Sequence, residues 1–107
     1  MTVSDSDIAY ALELYAGLGG ITTRKMMGGL TIYTGGQVFA MLDGEGRPYL
    51  KAKGDFAAEM AAVGAAQFVF TDKSGKSSSM GYWTLPEDAL DDPDLACDWA
   101  RRALAAL

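Results

Sequence analysis

Three strand-length apolar runs, at 30–33, 38–42 and 49–52, follow one another in the first half of the chain, each bounded by glycine or proline. In the first, Leu30 and Ile32 alternate with Thr31 and Tyr33, the period of two that a half-buried strand requires. The second, Val38-Phe39-Ala40-Met41-Leu42, is apolar throughout, which suits an interior strand with neither face freely exposed. Thr34-Gly35-Gly36-Gln37 supplies glycines for a tight turn, and Asp43-Gly44-Glu45-Gly46 a hairpin loop. The pattern predicts an antiparallel meander. Its third strand, about 47–52, should lie at an edge or begin at Pro48, because proline within a central strand costs a ladder hydrogen bond.

Helical periodicity flanks the meander. Ser4 with Asp7 three residues on is a capping-box variant, and Ile8, Ala11, Leu12, Tyr15 and Leu18 share one helical face, so a helix is expected over about 5–18 with Gly19-Gly20 ending it. Ile21-Thr22-Thr23 then leads into the meander, with the basic pair Arg24-Lys25 just ahead of the first strand. Asp55 can cap a short helix over 56–63 that turns Phe56, Met60 and Val63 to the sheet before Gly64 stops it. A fourth strand is expected at 67–71, a polar loop at 72–78, and a fifth strand at 79–85 ended by Pro86. Asp92-Pro93 matches a cap followed by proline at the first helical position. The last helix, about 93–106, would carry Leu95, Trp99, Ala103 and Leu107 in one stripe, with Arg101 and Arg102 near its negative end. The order is α-β-β-β-α-β-β-α, an α+β domain.

The 107 residues suit a single domain over 1–107 that buries about two-thirds of its unfolded surface. No apolar run reaches the roughly 18 residues of a membrane span, and residues 2–7 lack a basic region followed by an apolar core, so the cytoplasm is the expected location. A net charge of −5 and a pI near 4.4 oppose contact with phosphate backbones, and no duplex DNA binding is expected. The single cysteine, Cys97, lies in an apolar helical stretch and reads as a small buried hydrophobe. With no histidine, Ser-His-Asp and Cys-His catalysis and imidazole zinc sites are excluded. Gly75-Lys76-Ser77 resembles the end of a phosphate-binding loop, but Phe70 stands where its first glycine belongs. The carboxylates from Asp88 to Asp98 lack the turn glycine and terminal glutamate of a calcium loop. Neither an enzymatic activity nor a cofactor or metal is expected.

Thr22-Thr23-Arg24-Lys25-Met26-Met27-Gly28-Gly29, the segment from Gly36 through Phe39, Tyr49-Leu50-Lys51, Tyr82, Leu85-Pro86-Glu87 and Trp99-Ala100-Arg101-Arg102-Ala103 together resemble the TfoX N-terminal domain family, the Sxy-type competence regulators of bacteria. The similarity covers nearly the whole chain, with Met27 where the family commonly has phenylalanine. The resemblance implies a two-layer fold like the type III secretion chaperones. Its five-stranded antiparallel sheet would run in the order 1-2-5-4-3, with helices mainly on one face. It also implies a regulatory role. In full-length regulators this domain precedes a helical one, and the pair promotes competence-gene transcription together with the cyclic-AMP receptor protein.

If helices cover one face, the other should be polar in a monomer. Here Thr31 and Tyr33 oppose Leu30 and Ile32, Phe39 and Met41 oppose Val38, Ala40 and Leu42, and Tyr82 and Trp83 put one aromatic on each face. Such a surface marks a partner site. A protein partner or a homodimer is therefore expected through Tyr33, Phe39 and Met41, with Lys51 at the rim and Arg24 and Lys25 as further candidate contacts. The leading functional reading is a non-catalytic regulatory or protein-interaction domain. The alternative is a small-molecule-binding domain with a pocket between sheet and helices.

Overall fold

Ser4 caps the first helix, α1 (Asp5–Leu14). The Asp7 N–H donates to the Ser4 hydroxyl at 3.1 Å and the Ser4 N–H to the Asp7 carboxylate at 3.0 Å, a reciprocal box that satisfies two otherwise orphaned donors. The helix ends earlier than expected. Beyond Tyr15 the chain tightens into a 3-10 turn, Ala16–Leu18, and Gly19 follows in the left-handed region at φ +74°. This turn packs so closely on the last helix that a Cβ on Gly17 would stand 3.3 Å from the Cys97 sulfur.

The computed structural model describes residues 2–26, 28–71 and 73–107, and side chains for all of these except residues 70 and 77–80. Met27 and Asp72 therefore lie outside the described residues. Among the described residues six strands form one antiparallel sheet: β1 (Ile21–Met26), β2 (Gly29–Thr34), β3 (Gln37–Leu42), β4 (Pro48–Lys51), β5 (Gln67–Thr71) and β6 (Ser77–Thr84). Their order is β1-β2-β3-β4-β6-β5. Two further helices, α2 (Gly54–Ala62) and α3 (Pro93–Ala105), complete the α+β fold.

The sheet departs from expectation in strand number and in order. The sixth strand is the segment expected as a lead-in: Ile21 to Met26 pairs residue by residue with Thr34 to Gly29. As an edge strand it leaves Thr22, Arg24, Lys25 and Met26 in solvent, so no apolar alternation announces it. The order 1-2-5-4-3 is also corrected. The strand that begins at Pro48 is interior, between β3 and β6, and β6 is not hydrogen-bonded to β3. A five-residue connection from β3 leaves the chain little choice but to return beside it. Proline is tolerated as the strand's first residue, where its carbonyl still accepts from the Leu85 N–H at 3.1 Å.

All three helices pack on one face, over Leu30, Ile32, Ala40, Leu42 and Leu50. α2 starts after Lys53, which gives no side-chain cap, and Asp55 falls in its first turn instead of at the cap. Phe56 and Met60 are buried as expected, but Val63 closes the helix in solvent. In α3, Asp92 accepts from the Leu95 N–H at 3.2 Å, with Pro93 first in the helix. The buried stripe is Ala96, Cys97, Ala100 and Ala103, one of the four residues expected. These small side chains let the helix axis approach the sheet, while Leu95 and Trp99 flank the contact and Leu107 is exposed. Arg102 lies over the rings of Trp99 at 4.6 Å and Phe56 at 5.5 Å and pairs with Glu59. Its guanidinium thereby ties α3 to α2. No helix among the described residues is long and apolar enough to cross a membrane.

A β-bulge in β3 overturns one expectation about the second face. Ile32 pairs with Ala40 but Tyr33 with Val38, so Phe39 is an extra residue, and the strand's alternation is interrupted. Phe39 is 0% exposed and meets the Tyr15 ring edge-on at 5.0 Å. It belongs to the helix-side core and is withdrawn as an exposed partner contact. The Tyr15 hydroxyl beside it is buried, with no hydrogen-bond partner among the described residues. Burial, followed by the nearby Tyr10 and Cys97, pushes the Tyr15 phenol well above its ordinary pKa.

Three outcomes follow. Phe39→Ala will cost about 3–5 kcal/mol in urea unfolding, as for a fully buried aromatic, where a surface phenylalanine would cost far less. Gly29→Ala places a Cβ 2.4 Å from the Leu42 carbonyl oxygen, and this backbone clash will lower stability by about 1–3 kcal/mol. Because the folded-state pKa of Tyr15 is raised, the folded form keeps a proton that the unfolded chain loses above about pH 10. Stability will fall as pH rises beyond that point. Tyr15→Phe will shallow that decline and, by removing an unpaired buried hydroxyl, leave stability at pH 7 unchanged or raised by about 1 kcal/mol.

Candidate interaction face

The face opposite the helices is built from one cross-strand row, Thr31, Met41, Tyr49 and Thr84, given by the β2–β3, β3–β4 and β4–β6 registers. Tyr33, Lys51 and Tyr82 share that face by the same registers. No helix lies on it, yet Thr31, Tyr49, Tyr82 and Thr84 are all buried. The cause is the shape of the sheet. β6 kinks at Gly81, which adopts φ +71°, a conformation that glycine enters without a steric penalty. The β5–β6 register also slips between Gln67 and Val69. The Phe68 ring reaches across β6 to stand edge-on to Tyr49, 5.2 Å away on β4. Both edge strands then line one groove, Met26 from β1 and Phe68 from β5. In a flat sheet those strands would be about 24 Å apart, so the sheet coils around its open face.

The groove has a volume of about 400 Å³, and Met26, Thr31, Met41 and Phe68 are among the residues that line it. Asp43, Gly44 and Glu45 of the β3–β4 turn also line it, with Glu45 exposed. Asp43 holds that turn in shape. Its Oδ1 accepts from the Glu45 and Arg47 N–H groups, both at 2.9 Å, and its Oδ2 from the Tyr49 hydroxyl at 3.3 Å. Burial and then the Asp43 charge raise the Tyr49 pKa, so the phenol remains a neutral donor to the turn. Burial and then Tyr33 raise that of Tyr82. Glu45 is exposed and forms no ion pair among the described residues.

The expected contact residues divide between the two faces. Tyr33, Met41 and Lys51 are half-buried on the open face, and Arg24 is exposed there on β1. Lys25, next in sequence, pairs with Leu30 and so belongs to the other face beside Thr2 and Val3. The basic pair therefore makes no single patch. Phe39 is in the core. Sequence reasoning placed Thr31 on this face but missed Met26, Phe68 and the Asp43–Glu45 turn as parts of the same surface. Met26 precedes what looked like the first strand, and Phe68 enters only through the slipped register. A second, wider depression lies on the helix side between the end of α2 and α3, bordered by Pro48, Val63, Leu85, Leu90 and Trp99. Among the described residues no cluster of three or more histidine, cysteine, aspartate or glutamate side chains could hold a metal ion.

No curated protein matches the chain significantly. A family model, that of the TfoX N-terminal domain, matches residues 13–107, from the end of α1 through α3. The match includes every strand and the whole groove, and the chain belongs to the TfoX N-terminal domain family.

Proposed function

We propose that this domain is a non-catalytic, cytoplasmic regulatory module that engages a protein partner through its open sheet face. Family membership supports a competence-regulator-like role. The observation that carries the reading is the groove itself: apolar, lined by two methionines and an aromatic ring, and left uncovered by the helices. Methionine adapts to varied apolar partners and is favoured on such surfaces. The chain has no histidine, which removes the commonest side chain for neutral-pH proton transfer. A second reading draws on the groove's size, which falls within the range of small-ligand sites. That alternative places the ligand on the open face instead of between sheet and helices.

A photo-reactive residue at position 26 or at position 12 tests the proposal in the native organism, since Met26 is 49% exposed on the open face and Leu12 40% exposed on α1. A protein adduct is expected from position 26 alone, lost on Met41→Asp in a variant that stays folded. Identification of the captured protein as a component of the transcription apparatus supports the regulatory half of the proposal. Equal capture at both positions, or none at 26, counts against the open face. A small molecule retained in native mass spectrometry of the purified chain, without any adduct, favours the second reading.

A further inference from the structure

Resting on that reading of the open face, we infer that the groove accepts a basic amphipathic helix of a partner protein, its apolar side chains seated between Met26, Met41 and Phe68 and a flanking lysine or arginine meeting the β3–β4 turn. Shape selects the form of the partner. The sheet coils around the groove, and about one turn of a helix roughly 10 Å across would fill it. Another way onto this surface is an added strand along the β1 edge, from which Met26 enters the groove. That strand presents Arg24 and Lys25, which disfavour a basic segment laid along the edge.

Charge selects the partner's composition. Asp43 and Glu45 line the groove together, joined by the Glu45 N–H bond to Asp43 Oδ1. Asp43 is already bonded to backbone and phenol donors, all of them neutral, and it forms no ion pair among the described residues, Arg47 of the same turn meeting it through its backbone N–H. Glu45 has no cationic partner among the described residues. The net charge of −5 attracts a cationic segment from a distance, and the carboxylates of the turn orient it on arrival. Arg24 faces the same side from β1, so the basic end of the helix points to the turn and away from that strand.

The probe is a fluorescein-labelled, stapled helix of 14 residues with leucine and methionine on one face and lysines flanking it, compared with the same helix carrying glutamates in place of the lysines. Titration with the whole chain, read by fluorescence anisotropy, is expected to give micromolar affinity for the lysine helix, within the range reached by small apolar contacts. The glutamate helix should bind at least about ten-fold more weakly. Glu45→Lys and Glu45→Gln should weaken the lysine helix, the former by roughly three- to ten-fold, and Met26→Ala should weaken it too. Glu13→Lys, on exposed α1, changes net charge as much as Glu45→Lys and should have no comparable effect. Equal binding of the two helices, equal loss in the Glu13 and Glu45 variants, or no saturable binding of the lysine helix would each overturn the inference. None of those results removes a position-26 adduct in cells. The broader interaction reading therefore stands or falls by that separate measurement.

Discussion

The packing of Phe39 against Tyr15 is the contact on which the two layers depend. It exists because β3 carries one residue more than β2 between Ile32 and Tyr33. The bulge sends Phe39 and Ala40 together toward the helices, where a regular strand would have sent Phe39 outward. The phenylalanine fills the space under the end of α1, and the small side chains of α3 close over the adjoining part of the sheet. Tyr15 is fully buried there, and among the described residues its hydroxyl has no hydrogen-bond partner. An unpaired buried hydroxyl costs free energy, which the burial of two aromatic rings in edge-on contact offsets.

The same bulge shapes the other face. With Phe39 withdrawn, β3 presents Val38 and Met41 there, and the surface is less aromatic than strict alternation would make it. Coiling of the sheet then does for the open face part of what helices do for the closed one. Phe68 covers Tyr49, and the row from Thr31 to Thr84 is buried except where the groove opens. The result is a localised recess bounded by methionines and a carboxylate-bearing turn, in place of a broad apolar plane. A localised recess is compatible with a stable monomer that still has a place for a partner.

Charge is distributed to match. Arg102 is neutralised by Glu59 and stacked on two rings, and Arg101 pairs with Asp98 at 3.1 Å, so the cations of the last helix serve the helix layer. Arg24 and Lys25 fall on opposite faces of an edge strand, where charged side chains discourage pairing with other chains. The carboxylates of Asp43 and Glu45 at the groove form no ion pair among the described residues, although Arg47 closes the same turn.

The local elements were legible in the sequence because their signals are local. Ser4 with Asp7, and Asp92 with Pro93, determine helix starts through hydrogen bonds spanning three residues, and glycine-bounded apolar runs determine strands β2 to β4. Cys97 could be placed in the core from its apolar helical neighbours. Motifs scattered along the chain also identified the family. What needed the tertiary structure was every property set by a neighbouring strand. β1 is recognised as a strand only by its pairing with β2, since its threonines, arginine and lysine carry no apolar alternation in the sequence. The interior place of β4 follows from which edge the chain returns to, and nothing within residues 48–51 encodes that. The direction of Phe39 depends on one unmatched residue between two strands. A period-two reading cannot see such a residue, because a single bulge reverses every face assignment beyond it.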